Sequence, residues 1–393
     1  MLFGVASGVL GSFALLRRRA LLGDAIAHAA LPGICIAYLL TRLKHPAVVI
    51  AGALASGLLG SFLVNFISRK SRIKEDTAIG LVLSVFFGIG ILLLTYIQHQ
   101  PLGNQSGLDK FLFGQAASMV ADDVMVFGGV AFFLMIVVFF LYKELKVLAF
   151  DREFASAIGL PTGLIDALLT VLIVLTVTVG LQAVGVVLMA AMLITPAAAA
   201  RQWTDDLPLM LVLSGIFGAV AGASGTLAST LAPRMPTGPW IVVVVTTIFA
   251  ISIVFAPNRG WLVRSLRHRR NSQKINSENI LLTLYRVAEQ SVESCSLDLL
   301  RRYRYLSVRH AVNLLQHLES RGWVSKASLP DHWSLTQQGF DEAKRLIRRH
   351  RLWELYLSRY LHLSKGQVHA DAEEIEHILT PELERELDAL LGT

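Results

Sequence analysis

Only two cysteines, Cys35 and Cys295, stand in the 393 residues, and they fall in regions of different composition, so no disulfide framework is implied. No G-x-x-x-x-G-K-[ST] run occurs, so the chain carries no P-loop and cannot itself be an ATPase of that kind. Charged residues make up 17% against 54% hydrophobic, and the mean hydropathy of +0.56 excludes a chain that is soluble throughout. The segment 257–275 contains no acidic residue at all.

What is present is unevenly spread. From Met1 to about Ala256, apolar runs recur that are long enough to cross a hydrocarbon core roughly 30 Å thick. From Arg259 onward the chain is polar and highly charged. These features predict a polytopic all-α membrane domain at 1–256 and a basic linker at 257–275. A helix-turn-helix domain at 276–340 and a helical region at 341–393 follow. Candidate spans are 1–16, 21–40, 46–66, 78–97, 124–142, 163–182, 185–200, 207–231 and 238–256, nine in all, with eight as the alternative. The first is short for a bilayer, which leaves a miscalled start codon or a longer natural N-terminus as the alternatives, and no cleavable signal is needed.

Basic loops set the orientation. "RRR" at 17–19, "SRKSRIK" at 68–74 and "YKELK" at 142–146 follow the first, third and fifth spans, which places all three on the cytoplasmic side. "RGWLVRSLRHRR" at 259–270 belongs there too, and this parity favours two passes within 164–200. The polar segment 98–123 falls on the outer face, with a short interfacial helix around Phe111–Phe113.

The second span, "LLGDAIAHAALPGICIAYLL", carries two ionisable groups. Asp24 and His28 are four residues apart, one turn on the same helical face. A charge at the membrane centre costs at least about 2.5 kcal/mol, so such residues face a protein interior and mark a path. An oxygen and a nitrogen ligand one turn apart can hold one divalent first-row ion, weakly enough to release it, and a second subunit across a two-fold axis would complete the site. The alternative is a structural Asp–His hydrogen bond near the helix end. Asn65, Asp166 and Gln182 read as packing or helix-end residues. Pro32 and Pro196 interrupt spans, where neighbours must satisfy the freed carbonyls.

"GSFALLRRRALLGDAIAHAALPG", "AFDREFASAIGLP" at 149–161 and "GVVLMAAMLITPAAAAR" at 185–201 together resemble the membrane permeases of manganese/zinc/iron ABC importers, in order across nearly all of 1–256. The resemblance implies a permease in the bacterial inner membrane that pairs with a second permease subunit. It also implies an extracytoplasmic metal-binding protein that feeds it and a separate ATPase that drives it. It makes Asp24 and His28 the lining of the metal path. It also makes the short amphipathic loop with Asp151, Glu153, Ala155 and Gly159 the segment that couples to the ATPase; an ordinary connecting loop is the plainer alternative.

In the polar half, "SLDLLRRYRYLSVRHAVNLLQHLESRGWV" reads helix, turn, helix, with Gly322 closing the second helix. "WVSKASLPDHWSLTQQG" then supplies two short strand-like arms, the wing of a winged helix-turn-helix. Arg304, Ser307, Arg309, His310 and Asn313 are candidate DNA contacts, with Gln316 on the same helix and Arg301 and Arg302 adding charge before it. A winged helix used only for protein contact is the alternative. Further on, Glu373, Glu376 and His377 share one helical face, and His350 and Glu354 pair on the preceding helix. Such clustering suits Mn, Fe or Zn, although a solvated salt-bridged face is commoner.

Residues 276–391 are similar to the DtxR/MntR family of metal-dependent repressors, most closely in "LTQQGFDEAKRLIRRHRLWELYL" and "VHADAEEIEHILTPELERELDALLG". The resemblance implies regulatory metal ligands at His350, Glu373, Glu376 and His377, with Glu354 and His369 as candidates for a second site, and operator DNA as a partner. Where that family's first helix supplies an acidic pair, this chain has Asn279 and Leu282, so the site has fewer ligands and less charge. The expected protein is a permease for a divalent transition metal (Mn, Fe or Zn) fused to a cytoplasmic DNA-binding regulator. A cytoplasmic metal sensor that controls transport without DNA is the alternative.

Overall fold

A computed structural model describes residues 1–42, 46–99, 121–231, 236–290, 294–304 and 307–360, with 385, 386 and 389. Residues 100–120, with the expected interfacial helix, lie outside the described residues, as do His369, Glu373, Glu376 and His377. So do the side chains of Gln182, Arg301, Arg302, Arg304, His350 and Glu354. The chain divides into two compact units, Met1–Val263 and Arg264–Thr393.

All regular secondary structure among the described residues of the first unit is helical. They form α1 (Leu2–Leu16), α2 (Ala20–Thr41), α3 (Pro46–Lys70) and α4 (Glu75–Gln98). Next come α5 (Ala121–Phe140), α6 (Tyr142–Phe150), α7 (Arg152–Ala157) and α8 (Thr162–Val184). The unit ends with α9 (Val186–Trp203), α10 (Leu207–Ser229) and α11 (Thr237–Phe255). Among the described residues, six helices are long and apolar enough to cross a membrane: α2, α3, α4, α8, α10 and α11. A seventh is counted if α5 and α6, bent by 70°, form one span.

The nine runs expected from sequence are thus helices, but not all are spans by length and composition. The 15 residues of α1 rise only about 22 Å, short of a hydrocarbon core. α9 gives its last turn to Arg201, Gln202 and Trp203. "YKELK", expected as a loop, opens α6, and Gly185 at φ 96° separates α8 from α9.

Burial ranks the helices. About two thirds of the α2 span (67%) and 72% of the α8 span are buried, against 22% for α11. The outward sides of α4 and α5 expose Leu92, Phe132, Phe139 and Phe140. Lipid-facing helices present such a surface, because every backbone polar group is satisfied within the helix.

Small residues bring α1 against α10. A Cβ on Gly8 would overlap the Ser214 carbonyl, and Ser12 donates to Ser214 Oγ at 2.9 Å across the same contact. Interhelical approach through small residues is the membrane counterpart of core packing. Gly8→Leu should therefore lower the amount of folded protein recovered from membranes several-fold, at an overpacking cost of about 1–3 kcal/mol; fluorescence-detected size exclusion in detergent reads it. Pro196 has no N–H to offer the Met192 carbonyl one turn back, and that carbonyl instead accepts from buried Ser7 Oγ of α1 at 3.2 Å.

α12 (Trp261–Glu289) makes the basic segment helical from Trp261 onward, and its C-terminal half carries the core of the second unit. β1 (Cys295–Ser296), α13 (Leu297–Arg304), α14 (Val308–Ser320), β2 (Val324–Lys326), β3 (His332–Leu335) and α15 (Gln337–Tyr360) follow. The strands form an antiparallel sheet in the order β1-β3-β2, with Val324 opposite Leu335 and Lys326 opposite Trp333. Apolar residues of α14 recur as Ala311, Leu314, Leu315 and Leu318, one helical face. Leu314, Leu315 and Leu318 pack with Ile280, Leu281, Leu284, Leu300, Trp333 and Leu346. Gly322 ends α14 at φ 75°, a left-handed conformation, with Trp323 N–H bonding the Leu318 carbonyl at 3.1 Å. Burial in this core pushes the Cys295 thiol up from its ordinary pKa, so less of it is thiolate at neutral pH. Cys295 should alkylate with iodoacetamide far more slowly in the native protein than in urea, as mass spectrometry would show.

Candidate metal site and coupling segment

α2 holds the paired ionisable groups because its small residues let it sit deep in the bundle. A Cβ on Gly33 would overlap the Gly52 carbonyl of α3, and Ser56 Oγ of α3 donates to the Ala29 carbonyl at 2.5 Å. On this helix His28 Nε2 lies 3.5 Å from Asp24 Oδ1, with the side chains 14% and 33% exposed. That separation is long for a hydrogen bond. A tetrahedral ion about 2.1 Å from each donor would set the two atoms about 3.4 Å apart, so the pair has the spacing of two ligand positions. No third His, Cys, Asp or Glu joins them among the described residues.

The ring of His28 is held by packing. Its Nδ1 is buried without a hydrogen-bond partner, and the edge of Phe87 on α4 meets it at 4.8 Å between centroids, 79° between planes. Ligating histidines commonly have a polar partner on the second nitrogen; here an aromatic neighbour restricts the ring. Sequence reading missed Phe87, because one Phe in an apolar helix carries no contrast. Pro32 adds a backbone group, since it cannot donate to the His28 carbonyl four residues earlier.

The segment 149–161, expected to couple to an ATPase, is built around α7. Asp151 is its N-cap, with the side chain accepting from Phe154 N–H at 2.9 Å. Glu153 lies exposed in the first turn, Ala155 is fully buried and pins the helix to the bundle, and Gly159 at φ 83° ends the motif. Leu160 N–H bonds back to the Ala155 carbonyl at 3.0 Å across that turn. Phe154 and Ile158, which the sequence reading did not single out, stand one turn apart and expose 55% and 53% of their surface. Their signal was two large apolar residues at i, i+4 spacing in a short segment that opens with Asp151, Arg152 and Glu153.

In the second unit, Arg309, Asn313 and Gln316 are exposed on the α14 face opposite its core side, and Ser307 is the exposed N-cap residue. His310 is half-buried, and its Nε2 lies 3.3 Å from Asn276 Nδ2 of α12, a contact between helices that a one-helix reading cannot show. β2 and β3 form a hairpin whose tip carries Asp331 at φ 57°. At the position where the repressor family supplies an acidic residue, Asn279 Oδ1 is buried with no hydrogen-bond partner, an orphaned oxygen with the chemistry of a neutral metal donor. Leu282 belongs to the hydrophobic core.

The geometry is that of a multi-pass helical membrane protein with an Asp–His pair on a buried helix and a short exposed helix at Arg152–Ala157, followed by a compact sheet-and-helix domain. The ABC 3 transport family matches residues 1–256, and the iron dependent repressor metal binding and dimerisation domain matches residues 336–393. The manganese transport system membrane protein MntC of Bacillus subtilis is 43% identical over 371 residues, covering 94% of this chain and 85% of that protein. The zinc transport system membrane protein TroC of Treponema pallidum is 46% identical over 272 residues, covering 69% and 91%. Among solved structures, PsaBC from Streptococcus pneumoniae in complex with Fab matches with a TM-score of 0.59 and 34% identity, over 66% of this chain and 90% of that one. The chain belongs to the ABC 3 transport family, and it carries a repressor-type domain at its C-terminal end.

Proposed function

We propose that this chain is the permease subunit of an ATP-driven importer of Mn, Zn or Fe in the bacterial inner membrane. Asp24 and His28 offer the ion a transient two-ligand site, and the observation that carries this reading is their 3.5 Å separation on a buried helix of a permease-family bundle. A second permease subunit would supply the remaining ligands across a two-fold axis. An extracytoplasmic binding protein would deliver the ion. ATP binding at a separate subunit, felt through α7, would switch access from the outer to the inner side. Mixed oxygen and nitrogen donors suit all three metals, so competition decides between them. Uptake of Mn(II) into cells expressing the complete transporter, challenged with Zn(II) and Fe(II), tests the reading; it fails if uptake is independent of the ATPase subunit.

The second unit is read as a cytoplasmic winged helix-turn-helix regulator. Its support is the exposed face of α14 with Arg309, Asn313 and Gln316 beside the β2–β3 hairpin. His350, Glu373, Glu376 and His377 would hold a regulatory metal, with Glu354 and His369 in reserve. On the α12 side Asn279 fits as a neutral donor, and Leu282 contributes none. The alternative, a metal sensor acting on its own permease, draws on Leu282 and on His310 turning to Asn276. For the fragment Arg264–Thr393, Arg309→Ala should weaken operator binding by about tenfold and reduce the salt slope by about one unit, if Arg309 meets a phosphate. Fluorescence anisotropy over a salt series measures both, and DNA binding that is absent in the parent fragment would favour the sensor.

A further inference from the structure

One buried carboxylate gathers charges from separate parts of the permease unit. Asp166, five residues into α8, has a side chain only 7% exposed. Its Oδ1 meets Arg17 Nη2 at 3.0 Å and Arg19 Nη1 at 3.3 Å, and its Oδ2 faces Arg152 Nη1 at 3.9 Å. Arg19 also bonds Glu75 Oε1, in the first turn of α4, at 2.9 Å. Arg17 and Arg19 bracket Arg18, whose φ of 57° makes the tight turn between α1 and α2.

This arrangement is more than a helix-end contact. A carboxylate enclosed to this degree must be paired to be tolerated, and an apolar side chain would hold the helices as well at less desolvation cost. The three guanidinium groups exceed the carboxylates Asp166 and Glu75 by one, and Arg17 Nη1 is buried without an acceptor. The tight contacts run to the α1–α2 turn. The long one runs to Arg152, which is 47% exposed and sits on α7 directly after the capping residue Asp151. Arg19 is the N-cap residue of α2, and Asp24 lies five residues further along that helix, about 7.5 Å of rise. A displacement of α7 therefore changes the Arg152–Asp166 distance first, and the change in charge balance falls on Arg19 at the start of α2.

We infer that Asp166 is a positioning residue that joins the coupling helix to the metal-bearing helix. Arg152 is its movable partner, and Arg17 and Arg19 are its fixed ones. This rests on the ATP-driven import proposed above. The complete transporter, with its ATPase subunit and binding protein in proteoliposomes, tests it with Mn(II) as the probe. Asp166→Asn, Arg152→Gln and the double variant are compared for Mn(II) carried per ATP hydrolysed, a ratio that loss of folded protein does not move. Each single variant is expected to lower the ratio about tenfold while hydrolysis persists. The double variant is expected to be no worse than Asp166→Asn alone, and Asp166→Glu to recover part of the ratio. Arg152 lies partly in solvent, so Arg152→Gln remains informative should Asp166→Asn assemble poorly. Ratios unchanged from the parent, or losses that multiply in the double variant, overturn the inference with the import reading intact. A parent transporter that carries no Mn(II) under ATP overturns both.

Discussion

His28→Ala is expected to abolish saturable metal uptake while leaving the protein in the membrane at its usual level. If the 3.5 Å Asp24–His28 contact were only structural, its loss would cost about 1 kcal/mol and transport would persist. If the two side chains are ion ligands, half of this subunit's donors disappear. Even outer partners of metal ligands change affinity by about 10–100-fold, so a direct ligand should cost at least about 100-fold. Asp24→Asn keeps an oxygen but loses the charge, so its defect should be milder than that of Asp24→Ala. Initial uptake rates against Mn(II) concentration, normalised to permease in the membrane, separate the two outcomes. Rates within twofold of the parent for His28→Ala would remove the pair from the metal path. Phe87→Leu should raise the half-saturating concentration modestly, because the His28 ring loses its edge contact but keeps both nitrogens.

How much of this was legible in the sequence depended on contrast. Asp24 and His28 stood out because an apolar run makes any ionisable residue visible, and their spacing of four fixed them to one face. Gly159 was legible for a similar local reason, since chain reversal is decided within a few residues, whereas Asp151 was named only through the family resemblance and its capping bond to Phe154 came from the structure. Asp166 was visible as a residue but not as a hub, since its partner Arg19 lies 147 positions away and no periodicity links them. Phe87 was hidden among many apolar residues. The number of spans was legible only approximately. Hydropathy recognises an apolar run, whereas a 70° bend between α5 and α6 and a 15-residue α1 are matters of backbone geometry and length. His310 shows the converse limit, because its helical position predicted a free face and a neighbouring helix supplied Asn276 instead.

Phe154→Asp is expected to separate the permease from its ATPase subunit. Phe154, on a helix of six residues, and Ile158, which caps its C-terminal end, form an exposed apolar pair. Such a helix is too short to be stable alone, so its position is set by buried Ala155 below and the Asp151 cap at its start. Exposure of two large apolar groups beside Asp151, Arg152 and Glu153 suits insertion into a groove on a partner rather than contact with lipid, because lipid would exclude those charges. Burying a Phe side chain stabilises by about 1.5–3 kcal/mol, so removing it should weaken docking by roughly 10–100-fold. A carboxylate in its place adds the cost of an unpaired charge in the groove. Co-purification of the ATPase subunit and Mn(II) uptake should both fall, while detergent-purified permease keeps its yield and its elution profile. Phe154→Leu should retain most of both. A Phe154→Asp protein that still holds its ATPase would show that this helix is a connecting segment and that coupling enters elsewhere. One that is lost from the membrane altogether would place Phe154 against lipid or core, contrary to its exposure.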